Sequence, residues 1–179
     1  KFHGPKGVGF LYINADRKIH PLIHGGSQER NMRGGTENIY GIVGLAKALE
    51  IAYREMNEHQ NHIENLKKRM IEGLKSAIPD VIFNGDSADL ERSLYTVLNV
   101  SLPPSKDNDM LLFNLDIANI SCSGGSACAS GTDVGSHVLT ALNVHPDRGN
   151  VRFSFGKYNT IEEIDYTIGV LENLYLKKD

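Results

Sequence analysis

No stretch of this chain approaches the roughly 20 apolar residues that a membrane-spanning helix needs, and its opening lacks the apolar core of a secretory leader. Neither sign of charge dominates: 19 Lys and Arg against 22 Asp and Glu leave a formal charge of −3, with acid and base mixed throughout. That balance offers no basic face for nucleic acid and no polybasic run for a lipid surface, so neither nucleic acid nor membrane is expected as a partner. Cysteine is scarce, with only Cys122 and Cys128. A disulfide closing so short a loop adds little to a chain of 179 residues. With no second cysteine pair and only scattered histidines to complete four ligands, no metal site is expected. An initiator methionine is missing as well, and an opening on Lys1 reads as that of a fragment. A cytoplasmic setting is the default expectation, and partners have to be read from local motifs.

What is present is a globular complement of 40% hydrophobic residues, enough for one domain or one and a half. Residues 7–14, "GVGFLYIN", predict a buried strand, and residues 19–23 a second short one. The glycine-bearing stretch "HGGSQERNMRGGTEN" then breaks all periodicity, as functional loops do. From Asn38 the pattern turns helical: Ile39, Ile42, Val43, Ala46, Leu49, Ala52, Tyr53 and Met56 fall on one stripe, with Lys47, Glu50 and Arg54 outside it. A second stripe follows through Ile63, Leu66, Met70, Leu74 and Ile78, and Pro79 stops it. The polar "NEHQNH" between them is either a bend or a solvated span of one long helix. Strands are expected at 81–84 and 96–102, then a helix capped by Asp109, and a short helix at 136–142. In "VRFSF" the alternation puts Val151, Phe153 and Phe155 on one side and Arg152 and Ser154 on the other. Thr160 and Glu163 form a capping box ahead of the last helix. Strands alternating with helices argue for an α/β sandwich.

Three places can carry chemistry. Cys128 sits in "GGSACASG", whose small side chains cannot bury a thiol deeply, and two glycines allow the loop to swing. It is either an accessible nucleophile or a passive cysteine, whereas Cys122, beside Ile120, reads as buried filler. Arg152 projects from the polar side of an otherwise apolar strand, where a guanidinium suits two-point recognition of a carboxylate; a merely exposed arginine is the alternative. Thr36, with its glycines just ahead of a helix, can hold a phosphate through its hydroxyl and nearby N–H groups, or serve as a plain N-cap.

Taken in order, "KFHGPKGVGFLYI", "HGGSQERNMRGGTEN", "SGGSACASG" followed by "SHVLTAL", and "VRFSFG" resemble the C-terminal half of a cysteine desulfurase of the NifS/IscS type. These are class-V aminotransferase relatives of pyridoxal-phosphate fold type I. The resemblance implies an α/β architecture with residues 1–36 as the tail of a large cofactor domain, 37–59 as a linking helix and 60–179 as a small α/β domain. It implies that Lys1 carries pyridoxal 5'-phosphate covalently and that Thr36 reaches across a homodimer interface to the cofactor phosphate of the neighbouring subunit. It further implies that Arg152 holds the carboxylate of the L-cysteine substrate and that Cys128 receives the sulfur as a persulfide. The sulfur would pass to an acceptor or scaffold protein, as in iron–sulfur cluster assembly. The family's ring-stacking histidine, its aspartate to the pyridine nitrogen and most of its phosphate cup lie upstream of Lys1, so the chain alone is expected to be inactive. A selenocysteine lyase would share the scaffold, and a non-catalytic dimerisation or acceptor-docking domain is the reading from another class.

Overall fold

The computed structural model describes residues 2–124 and 136–176. The chain divides into two compact units, residues 1–57 and 58–179.

The first unit is organised by α1 (Ile39–Arg54), which starts where Asn38 Oδ1 accepts a hydrogen bond from the Gly41 N–H at 3.1 Å. Asn38, and not Thr36, is therefore the N-cap, because its short amide reaches the third residue of the first turn. Residues 4–8 run along this helix where its side chains are smallest, with Val8 beside Gly41, Pro5 beside Gly44 and Gly4 beside Ala48. A Cβ on Gly44 would stand 2.9 Å from Pro5 Cγ, so the approach depends on glycine. Lys47, Glu50 and Arg54 lie outside as expected and Leu49 and Ala52 are half-buried, but the bulky members of the stripe depart from the expectation. Gly41 is buried, while Val43 is 63% exposed and Tyr53 71%, and Ile39, Ile42 and Met56 are exposed with them. The close fit is made by the small-residue stripe, and among the described residues nothing covers the bulky one.

Neither residues 7–14 nor residues 19–23 form a strand. A strand needs a neighbour to accept its ladder, and none of the described residues supplies one here. Phe10, Leu11 and Tyr12 are accordingly exposed, Tyr12 by 80%. Between the two helical stretches, Glu55 leaves helical geometry (φ −102°, ψ 6°) and α2 (Met56–Ala77) begins at once, so "NEHQNH" lies inside α2 and the break precedes it.

The second unit is a three-stranded antiparallel sheet in the order β1 (Ile82–Phe83), β2 (Val97–Pro104), β3 (Arg148–Ser154). Its helices are α2, α3 (Leu111–Ile117), α4 (His137–Ala141) and α5 (Ile161–Leu176). Alternation decides the sheet's faces. Leu98, Val100, Leu102, Val151 and Phe153 point into a core shared with Leu66, Met70 and Leu74 of α2, Leu115 of α3 and Leu171 of α5. Each such side chain contributes about 1.5–3 kcal/mol on burial. Asp109 lies within a short 3-10 turn, Asn108–Met110, that leads into α3, so it is not the N-cap. The capping box of α5 is formed: Thr160 N donates to Glu163 Oε2 at 3.1 Å and Glu163 N to Thr160 Oγ1 at 3.3 Å. Asp80, Asn119 and Asn143, just past the ends of α2, α3 and α4, take left-handed backbone angles that a short polar side chain tolerates better than a branched one.

Lys67 is 0% exposed, an unusual place for an ammonium. It is satisfied there, donating to Ser93 Oγ at 2.7 Å and to the Leu94 carbonyl at 2.8 Å. Burial pushes its pKa down, with Asp89 and Glu64 acting in the opposite direction. The contact pins residues 87–95 against α2.

At the other end of the core, Tyr175 donates to Asn108 Oδ1 at 2.7 Å, and burial pushes its phenol up to about 12. A Cβ on Gly149 would meet both partners of that bond, each at 2.8 Å. Gly149→Ala should therefore destabilise the protein by about 1–3 kcal/mol through overpacking. Gly169→Ala, whose added methyl meets nothing within 4 Å on a helix, should instead stabilise by up to about 1 kcal/mol. Urea unfolding midpoints check both, and equal shifts for the two variants would contradict the packing described.

Candidate active site

The second unit brings Arg152 to the centre of a polar sheet face. Val151 and Phe153 point into the core, so Arg152 and Asn150 point the other way. The register places Asn99 opposite Arg152 and Ser101 opposite Asn150. Beyond β3, Ser123 adds an isolated bridge: Arg152 N donates to Ser123 O at 2.6 Å and Ser123 N to Arg152 O at 3.2 Å. On the other side, Asn84 N donates to Asn99 O at 3.0 Å. The row across the sheet therefore reads Asn84, Asn99, Arg152, Ser123.

The two arginines of β3 are used differently. Arg148 spends its guanidinium on the fold, donating to Ser101 Oγ at 3.0 Å, to the Ser101 carbonyl at 2.8 Å and to the Asp80 carbonyl. Arg152 is half-buried, its Nε is buried without a hydrogen-bond partner, and among the described residues it has no ion pair. A buried donor left unpaired costs about 1–3 kcal/mol, and a cation with no counter-ion suits an incoming carboxylate. The asparagines beside it were not singled out by sequence patterning, because only the strand register reveals that they share its face. Asn84 Nδ2 donates to Asn99 Oδ1 and to Asn150 Oδ1, both at 2.8 Å.

Cys122 packs half-buried against the core, as its sequence neighbours suggest, and burial followed by the charge of Asp116 pushes its thiol pKa up. Cys128 and Lys1 lie outside the described residues.

Thr36 belongs to the first unit, where it is exposed at the end of a loop drawn shut on itself. Gly34 N donates to Ile23 O at 3.0 Å, and a Cβ on Gly34 would come within 2.7 Å of the Gly25 backbone. Gly35 N donates to Gln28 Oε1 at 3.1 Å, and the Arg33 guanidinium, which donates to Gly34 O at 2.7 Å, lies beside Gly35. A hydroxyl, a neighbouring guanidinium and closely turned glycines are a donor set that fits a phosphate.

The model of the family described as aminotransferase class-V matches residues 1–167. The chain belongs to the class-V aminotransferase family. It is 43% identical over 179 residues to "Cysteine desulfurase IscS" of Dictyoglomus turgidum, covering 99% of this chain and 44% of that protein. It is 45% identical over 176 residues to the protein of the same name from Clostridium botulinum, covering 97% and 44%. Among solved structures, a "NifS-like protein" superposes with a TM-score of 0.79 at 39% identity, covering 97% of this chain and 43% of that one. An apo cysteine desulfurase from Thermococcus onnurineus superposes with a TM-score of 0.69 at 26% identity, covering 88% and 40%. The chain thus spans less than half the length of the curated relatives it matches. Class-V aminotransferases use pyridoxal phosphate, and the two units are an α/β portion of that fold. Among the described residues no helix is long and apolar enough to cross a membrane.

The environment of Cys122 makes it a poor nucleophile. Because burial raises its pKa, its thiolate fraction near neutrality is below that of a free cysteine and grows only as pH climbs. Iodoacetamide labelling, read by mass spectrometry of the Cys122 peptide, should be slower than that of glutathione at pH 7 and should accelerate up to and beyond pH 9. Labelling at the glutathione rate at neutral pH would contradict this placement.

Proposed function

We propose that this chain supplies the C-terminal share of a pyridoxal-phosphate-dependent cysteine desulfurase that converts L-cysteine to L-alanine and takes the sulfur onto Cys128. The observation that carries the reading is Arg152, whose guanidinium is unpaired among the described residues and whose backbone is bonded to that of Ser123, in a chain whose relatives bear that enzyme's name. Cys128 follows Ser123 by five positions in the sequence. Five extended residues span at most about 18 Å, so a substrate whose carboxylate rests on Arg152 lies within the thiol's possible reach.

In this reading each residue has a separable task. Arg152 fixes the substrate by its carboxylate and so orients the sulfur-bearing carbon. Lys1 carries the cofactor, and once released by substrate its amine moves protons at the substrate's carbon atoms. Thr36 donates its hydroxyl to the cofactor phosphate of the neighbouring subunit in a homodimer, with Arg33 adding positive charge. The cofactor, when bound, withdraws electrons from the carbon skeleton. The Cys128 thiolate attacks the substrate sulfur: an S–S bond forms, the C–S bond breaks, and the carbon released takes a proton to become the methyl of alanine. L-cysteine and a thiol thus give L-alanine and a persulfide with no outside oxidant or reductant. The persulfide then passes to an acceptor or scaffold protein, for iron–sulfur assembly or related sulfur delivery, in the cytoplasm. Residues 1–36 as the tail of a large domain, 37–59 as a linker and 60–179 as a small domain complete the proposal.

The test uses the full-length protein with cofactor bound. After L-cysteine treatment the Cys128 peptide should gain about 32 Da, one sulfur atom, and the Cys122 peptide should not. Cys128→Ser should abolish the adduct and sulfur transfer. Arg152→Ala should lower kcat/KM for L-cysteine by roughly 100-fold, as losing about 2–3 kcal/mol of charge-assisted hydrogen bonding implies. The 179-residue chain by itself should release no alanine. An unmodified Cys128 in the loaded protein would overturn the assignment and favour a docking or dimerisation role.

A further inference from the structure

Asn99 and Arg152 turn their backbone polar groups away from each other, Arg152 toward Ser123 and Asn99 toward Asn84. They therefore form a non-hydrogen-bonded antiparallel pair, the kind in which opposing Cα atoms approach to about 4.5 Å and side chains lie closest. Their other-face neighbours Leu98, Val100, Val151 and Phe153 are all in the core, so both side chains stand on the polar face. The Asn99 amide is held in one orientation, because its Oδ1 accepts at 2.8 Å from Asn84 Nδ2, which also donates to Asn150 Oδ1 on β3 at 2.8 Å. With its Oδ1 engaged, the Asn99 amide keeps Nδ2 to donate on the face it shares with Arg152. Two donor groups, one of them including a buried and unpaired Nε, thus stand opposite each other on one sheet face. Donors cannot satisfy each other; a carboxylate, with about four acceptor positions, satisfies both.

We propose that Asn99 is a second binding residue for the substrate's α-carboxylate, its Nδ2 donating alongside Arg152, and that Asn84 is a positioning residue that fixes which end of the Asn99 amide faces the substrate. The inference rests on the reading of Arg152 as the carboxylate anchor. It makes the sheet face selective for amino acids with a free carboxylate, since an amide in its place offers fewer acceptors and no charge.

Calorimetric titration of the full-length holoenzyme with L-alanine and with L-alaninamide tests this, because the two ligands differ only at the group in question. Asn99→Ala should weaken L-alanine about tenfold, the scale of one hydrogen bond to a charged group, and change L-alaninamide by less than about twofold. Asn84→Ala, which leaves Asn99 in place but frees its amide to rotate, should give a smaller loss of about threefold with the same selectivity. That second variant also carries the test if Asn99→Ala fails to fold. Equal weakening of both ligands would assign Asn99 a structural role and overturn the proposal. Loss of L-alanine binding in Arg152→Ala but not in Asn99→Ala would overturn this inference alone, and no loss in either would overturn the anchor itself.

Discussion

Two backbone hydrogen bonds between Ser123 and Arg152 are the constraint on which the candidate site depends. Taken singly, such bonds contribute about 1 kcal/mol each. Their importance is geometric. They fasten Ser123, and with it residues 120–124, to the strand residue whose guanidinium is left unpaired among the described residues. The core beneath holds the bridge in place: Ile120 and Cys122 precede Ser123 and pack inward, while Val151 and Phe153 flank Arg152 and do the same. Gly124 continues the segment past Leu112, where an added Cβ would come within 2.6 Å of Cδ1. The hydrophobic face of the sheet thus sets the position of everything on its polar face.

Charge is distributed over that polar face with a consistent logic. Arg148 is consumed by Ser101 and Asp80 and closes the end of the sheet, whereas Arg152, four residues along and on the same side, is left with spare donors. The asparagines between them carry no charge, yet they interlock through Asn84, so the face is rigid without neutralising the guanidinium. An acid in place of Asn99, directly opposite, would give Arg152 a counter-ion of its own. The same economy appears in the closed loop before α1, where Arg33 and Gln28 spend their polar ends on glycine backbone and brace the turn that presents Thr36.

The sequence was most legible where burial and local chemistry coincide. The "VRFSF" alternation, the α2 stripe and the Thr160–Glu163 box each combine a periodic apolar pattern with an end signal, and all three are found in the structure. Residues 7–14 and the bulky stripe of α1 differ from the sequence expectation for a shared reason. Apolar periodicity announces that a surface needs a partner, and it does not say whether the partner lies within the same stretch of chain. In α1 the partner found nearby, residues 4–8, selected the glycines and not the large side chains. Asp109 is not the cap it is expected to be, and of the two readings open for Thr36 the N-cap falls to Asn38, because several short polar residues stand near each helix start and only backbone geometry distinguishes which one reaches the first turn. The alternation in the sequence places Arg152 on the polar face of β3, as found, but Asn99 and Asn84 owe their place beside it to strand register, which a single sequence does not print.

Lys67 gives the second unit an internal chemical clock. Its ammonium is enclosed by the segment that supplies Ser93 and Leu94, so reagents that acylate amines meet the outward lysines first and this one only when that segment lifts from α2. The lag between the two classes of modification measures how often the segment opens, without any probe having to be introduced.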